Sequence, residues 1–149
     1  MFKIKLLILL LINLVFISCA NNYNNSQLKL AVSYIGGEYD GLVLSNHLKR
    51  HLNNFGMLDK NSNYQINGSI SHSSDLFITN IDNTSDREKV LSSIDLKVYD
   101  LDKDCIIFSY LENVSQFYIL ASGDKFTSNK KAIEEIRDKN TDYFVKKFI

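Results

Sequence analysis

Two histidines, His47 and His51, stand four residues apart. On a helix that spacing puts both imidazoles on one face, where such a pair can hold a divalent metal. Lys49 and Arg50 lie between them and would repel a cation, and no Glu occupies the place where a zinc hydrolase carries its base. Both basic residues fall near a helix C-terminus, where positive charge is favoured anyway. No metal is expected here. Asp100, Asp102 and Asp104 alternate like the start of a calcium loop. The glycine and the later Glu of that loop are missing, so a solvated hairpin turn is the expectation. The chain has no Walker loop, no GxGxxG, no GxSxG and no Cys–His pair at a useful spacing. No enzymatic activity and no cofactor are expected.

The two cysteines divide the chain. Lys3 and Lys5 begin a short positive region, and Leu6 to Ile17 is apolar except for Asn13. The run ends at Phe16-Ile17-Ser18-Cys19-Ala20. It is too short to span a bilayer comfortably, and a small residue precedes the expected cut, as in an export signal. An apolar stretch, a small residue and then Cys resembles the bacterial lipobox. Its Cys is acylated and becomes the first residue of the mature protein. A plain secretory signal with an incidental Cys, or an uncleaved anchor, shares part of the pattern. The lipobox resemblance implies cleavage between Ser18 and Cys19, lipid on Cys19, and a membrane held through that lipid. Two or three acyl chains suffice for stable anchoring. Ala20, in place of Asp, then points to the outer membrane. With Cys19 acylated, Cys105 would have no intramolecular disulfide partner. Beside Ile106, Ile107 and Phe108 it reads as a small buried hydrophobe.

The signal, 1–18, and a polar Asn-rich tether, 19–27, leave 28–149 as one ordinary domain. The whole chain carries 17 basic and 17 acidic residues, and losing Lys3 and Lys5 tips the balance slightly negative. No strong bulk attraction to nucleic acid follows.

Clear periodicities must position whatever site exists. Leu28, Leu30, Val32 and Tyr34 alternate with Lys29, Ala31 and Ser33, which predicts a half-buried strand. Gly36-Gly37 breaks it. Asp40 can cap a helix running to Phe55, with Leu44, Leu48, Leu52 and Phe55 in one stripe and Gly56 at the C-cap. Tyr64, Ile66, Gly68 and Ile70 predict a second strand, and Asn80 to Asp86 a loop. Val90, Ser92, Ile94, Leu96 and Val98 share one face of a third strand. Lys89, Ser93, Asp95 and Lys97 take the other. Cys105 to Tyr118 predicts a fourth strand, mixed enough in pattern that both its faces could be partly covered. Phe126, Ile133, Ile136, Tyr143 and Phe144 mark a C-terminal helix. The predicted class is α+β, in the order β-α-β-β-β-α. A four-stranded mixed, mostly antiparallel sheet carries two helices on one face, and its other face is polar.

Three passages resemble the lipopolysaccharide-assembly lipoprotein family LptE. Leu44-Ser45-Asn46-His47-Leu48-Lys49-Arg50-His51-Leu52, followed by Tyr64-Gln65-Ile66-Asn67-Gly68-Ser69-Ile70, is similar to its helix leading into a strand. Arg87 through Leu96-Lys97-Val98-Tyr99-Asp100 is similar to its third strand, and Ser115-Gln116-Phe117 through Ala132 to its last strand and helix. Asn129 stands where many members carry Glu, and Ile133 and Ile136 replace an Ala-rich helix face. The resemblance covers 28–149. It implies a lipid-anchored plug on the periplasmic face of the outer membrane. That plug sits inside an LptD-like β-barrel, helps the barrel assemble and contacts lipopolysaccharide during insertion. A polar sheet face suits a polar barrel lumen. Lipopolysaccharide presents phosphates, so Arg87, Lys89, Lys97 and Lys103 are the expected contacts. Any one of them is equally an ordinary solvated charge. The alternative is another outer-membrane lipoprotein, acting as an accessory subunit of a transport or cell-envelope complex.

Overall fold

The computed structural model describes residues 28–77, 87–119 and 126–149. The expected signal, the tether and the Asn80–Asp86 loop lie outside them. The elements are β1 (Ala31–Gly36), α1 (Glu38–Asn54), β2 (Tyr64–Phe77), β3 (Arg87–Asp100), β4 (Cys105–Ile119) and α2 (Phe126–Phe148). The sheet order is β1-β2-β3-β4. β1 runs parallel to β2 across the α1 crossover, and the later pairs are antiparallel. The α+β class and element order are as the periodicities predict.

The core lies between the sheet and the two helices. Leu44, Leu48 and Leu52 project from α1 and are fully buried. They meet Ile66 and Ile70 of β2 and Ile94, Leu96 and Val98 of β3, with Phe144 and Val145 of α2 closing the layer. Burying such side chains contributes about 1.5–3 kcal/mol each relative to exposure, so this layer dominates stability.

Several local expectations are corrected. Tyr34 does not continue the inward set of β1: it is 76 % exposed. The β1–β2 register shifts between Val32 and Ile35, and the extra residue rotates Ile35 toward the core in its place. Asp40 does not cap α1. Gly37 holds the N-cap position at φ 115, and Asp40 sits in the first turn, where a carboxylate favours the helix dipole. Phe55 leaves the Leu stripe because the helix has already ended, and it is 58 % exposed. Gly56 takes φ 65, and two hydrogen bonds close the end: Gly56 N–H to Asn53 O at 3.0 Å and Met57 N–H to Leu52 O at 2.8 Å. That is the Schellman arrangement expected of a C-cap glycine. β2 runs on to Phe77, through the polar Ser71–Asp75, because β3 pairs with it along the whole length.

At Gly68 the sheet comes close enough that a Cβ would stand 2.1 Å from the Asp95 carbonyl oxygen. Only glycine fits there.

Candidate functional site

A polar network interrupts the apolar layer where α2 crosses the sheet. His72 and Ser92 occupy inward positions on β2 and β3 and are register partners. Ser92 is fully buried, as are Asn140 and Thr141 of α2. Gln116 Nε2 donates to Asn140 Oδ1 at 2.8 Å, and Asn140 Nδ2 donates to Ser92 Oγ at 2.8 Å. Ser92 Oγ lies 2.7 Å from His72 Nδ1. With the amide already donating to Ser92, the hydroxyl proton is free to point at Nδ1. That places the neutral imidazole's proton on Nε2, which faces Thr141 Oγ at 3.4 Å. Thr141 Oγ donates onward to Arg137 O at 2.9 Å. The donors run in one direction from β4 to α2.

Burial pushes the His72 pKa down, with Asp40 opposing and Arg137 adding to the fall. The network ends in a cleft of about 440 Å³ between the start of α1 and the middle of α2. His72, Thr141, Arg137, Asp40 and the Tyr39 ring are among its walls. The sequence reading names none of these as a site residue, and Asp40 only as a helix cap. The available signal was polar side chains at inward-phase positions, His72 after Ile70 and Ser92 between Val90 and Ile94.

The histidine pair lies elsewhere, between the two helices. Arg50 Nη2 donates to His47 Nδ1 at 3.1 Å, so His47 carries its proton on Nε2, 3.2 Å from Asp138 Oδ1. Asp142 Oδ1 is 3.7 Å from His47 Nδ1, beyond hydrogen-bond reach, and takes its bond from His51 Nε2 at 3.2 Å. Lys146 Nζ holds the second Asp142 oxygen at 2.6 Å. That ammonium, with His51 adding, keeps the Asp142 carboxyl below the ordinary range. The arrangement is a clasp between α1 and α2. Among the described residues, no group of three or more such side chains is arranged to hold a metal ion.

The aspartates after β3 fold their own turn. Asp100 is buried, and its Oδ1 accepts from the N–H of Asp102 at 3.0 Å and of Lys103 at 3.2 Å.

The face of the sheet away from the helices is polar along β2, where Gln65, Asn67, Ser69, Ser71, Ser73 and Asp75 follow one another. Arg87, Lys89 and Lys97 share this face on β3. Lys89 is opposite Asp75 and Phe117, and Lys97 lies 3.6 Å from Asp95. Lys103 sits in the β3–β4 turn, 3.7 Å from Asp100. Arg87 opens β3 and Lys103 follows its far end, so about 40–50 Å of strand and turn separates them. Arg87 and Lys89 form one pair of neighbours, and the structure does not gather the four into a patch.

β4 departs from the expectation of cover on both faces. It is an outer strand with no fully buried residue. On the helix side, Glu112 accepts from Lys147 Nζ at 2.5 Å and from the hydroxyls of Tyr143, at 3.2 Å, and Tyr110. The Lys147 bond comes first in holding the Glu112 carboxyl below its usual value. Burial, with the Glu112 bond, drives the Tyr110 hydroxyl well above the usual range. Cys105 is also corrected: it is half-buried at the start of β4, not part of the buried core. The expected lipidation and cleavage residues, Cys19 and Ser18, lie outside the described residues.

No family model and no curated protein matches the sequence. Solved structures match in fold. Rare lipoprotein B from Shewanella oneidensis has a TM-score of 0.60 at 11 % identity, covering 80 % of this chain and 92 % of that one. A minor lipoprotein from Acinetobacter baumannii has a TM-score of 0.60 at 14 % identity, with 82 % and 92 % covered. Lipoprotein B from Nitrosomonas europaea has a TM-score of 0.58 at 12 % identity, with 87 % of each chain covered. The chain has the fold of these bacterial lipoproteins. Among the described residues, no helix is long and apolar enough to cross a membrane.

Proposed function

We propose that this chain is a non-catalytic outer-membrane lipoprotein of the LptE type, held by lipid on Cys19. It serves as the plug and assembly partner of an LptD-like β-barrel that inserts lipopolysaccharide. The observation that carries the proposal is the fold shared with rare lipoprotein B and the minor lipoprotein over four-fifths of the chain. The Ser18-Cys19 cleavage pattern supports the anchor. Along β2 the open face is a run of Ser, Asn and Gln, compatible with a polar lumen, while on β4 the same face, expected to be polar, carries exposed Leu111, Phe117 and Ile119. In this role Arg87 and Lys89, adjacent on that face, are the contact for lipopolysaccharide phosphates, with Lys97 and Lys103 as separate, carboxylate-paired positions.

The test is recovery of the tagged full-length protein from mildly solubilised outer membrane, with mass spectrometry of what remains bound. A large β-barrel protein at near-equal amount is expected. Recovery alone, or with a periplasmic or transporter complex, overturns the plug role and favours an accessory lipoprotein. Lipid on Cys19 has its own readout. A thioether at Cys19 consumes the sulfur that an intramolecular disulfide to Cys105 needs, so the two states are mutually exclusive. Intact mass of the membrane form is expected to show the acyl additions and, after alkylation, a reactive Cys105. An unacylated chain with both cysteines oxidised overturns the anchor.

A further inference from the structure

The two outer strands of the sheet are protected very differently. β1 is six residues long and interrupted by its register shift. β4 is fifteen residues long, contains no Pro, and carries one charged residue, Glu112, already tied to Lys147 on the helix side. Its one register shift lies at the start, opposite Val98/Tyr99, and from Phe108 to Ile119 the pairing is regular. Natural edge strands are kept from pairing by shortness, bulges, Pro or charge, and β4 from Phe108 onward has almost none of these. Its open face presents Leu111, 73 % exposed, and Ile119, 67 % exposed.

A second feature lies directly above. α2 packs over both β3 and β4 and runs opposite in direction to β4, with Asn140 at Gln116, Lys147 at Glu112 and Phe148 against Phe108. Tyr143 marks the flank of α2 that leans over β4, since its hydroxyl reaches Glu112. Ala132 and Ile136 share that flank at helical spacing, and neither is fully buried.

We propose that the β4 edge and this flank of α2 form an interface with a second copy of the chain. β4 pairs antiparallel with β4 about a two-fold axis at Ser115. In that register Leu111 faces Ile119 of the second copy, and Ile119 faces its Leu111. Asn113 faces Phe117, and Ser115 meets itself. No charge on the open face opposes a like charge. On the helix side Glu112 meets Tyr118. Strands lie about 4.8 Å apart, so a helix centred over β3 and β4 comes within about 10 Å of its symmetry mate. That is the normal distance for packed helices. The helix positions related by the axis, near Asn140, bring Tyr143 of one copy beside Ile136 of the other. Lys139 on the same flank is exposed and long enough to carry its ammonium out to solvent. The occupant is a second copy because the edge is neutral and sets Leu111 against Ile119 when it meets itself, the self-complementarity that an isologous contact requires.

Sedimentation of the full mature protein in mild detergent tests this. A monomer–dimer equilibrium is expected for the native sequence. Leu111→Lys and Ile119→Lys replace exposed side chains, and each alters two symmetry-related pairs. Each is expected to weaken the dimer about tenfold or more, with an unchanged circular dichroism melt. Leu42→Lys, an exposed change on α1, is expected to leave the dimer intact. A native protein that stays monomeric at roughly 100 µM overturns the interface. So do dimers indifferent to both β4 variants, equal weakening by Leu42→Lys, or open-ended assemblies without a dimer. Barrel recovery is read from membranes, so the plug role and this interface can fail separately.

Discussion

Replacing Ser92 by Ala removes one oxygen that serves two partners. Asn140 Nδ2 loses its acceptor, and His72 Nδ1 loses its donor. Asn140 is 1 % exposed, so its amide has no route to water. His72 is half-buried beside the cleft, and a water there can recover part of its loss. A buried polar group left unsatisfied costs about 1–3 kcal/mol. Counting one full and one partial loss, Ser92→Ala should destabilise by about 2–4 kcal/mol, a fall in Tm on the order of 10 °C for a domain of this size. The pH dependence should change with it. Burial lowers the His72 pKa in the folded chain, so the folded state binds fewer protons than the unfolded state below about pH 6.5. His72 therefore contributes its full stability above pH 6.5, and that contribution is lost as pH falls toward the depressed folded value. Protonation adds a hydrogen at Nδ1, where the Ser92 hydroxyl already donates. Ser92→Ala removes that conflict, so its stability should fall less steeply with acid. Urea denaturation across pH 4–8 measures both effects. The triple change Ser92→Ala, His72→Leu and Asn140→Leu should cost less than the sum of its parts, because it removes the buried partners together and leaves only exposed Gln116 to turn its amide to water. A loss below about 0.5 kcal/mol for Ser92→Ala, or strict additivity in the triple variant, would refute the directed network.

Gly68→Ala should cost about 3 kcal/mol or more and broaden the melt, since the new Cβ would stand 2.1 Å from the Asp95 carbonyl oxygen and 2.9 Å from Leu96 Cα. Leu48→Ala should cost about 3–5 kcal/mol by urea titration, because Leu48 is fully buried in the central layer. Asp142→Asn should cost no more than about 1 kcal/mol at pH 7, since its partner Lys146 is exposed. The Asp142 pKa is depressed in the fold, so its contribution is present above the ordinary carboxylate range and lost as pH falls through the depressed value. The gap between native and variant melts should therefore close in acid.

What the sequence discloses follows from which force sets each position. Leu44, Leu48 and Leu52, and the inward run from Val90 to Val98, are placed by burial alone, and burial is what hydrophobic periodicity reports. Tyr34 escapes because one extra residue in β1 inverts the alternation, and no residue type announces that shift. The polar end of β2 escapes for a different reason: Ser71 to Asp75 have little strand preference, and their conformation is imposed by β3, which pairs with them rung by rung. β4 is an edge, so its apolar residues divide between a helix-covered face and an open one, and a pattern that suggests two covered faces describes one. The network at Ser92 is the most instructive case. Ser92 and Asn140 each sit in phase with buried neighbours, where a lone polar side chain would be costly. Two polar residues in the inward phase of different elements imply that the elements meet there and that the groups satisfy each other. Here that meeting point is where α2 crosses β3, with Asn140 Nδ2 donating to Ser92 Oγ.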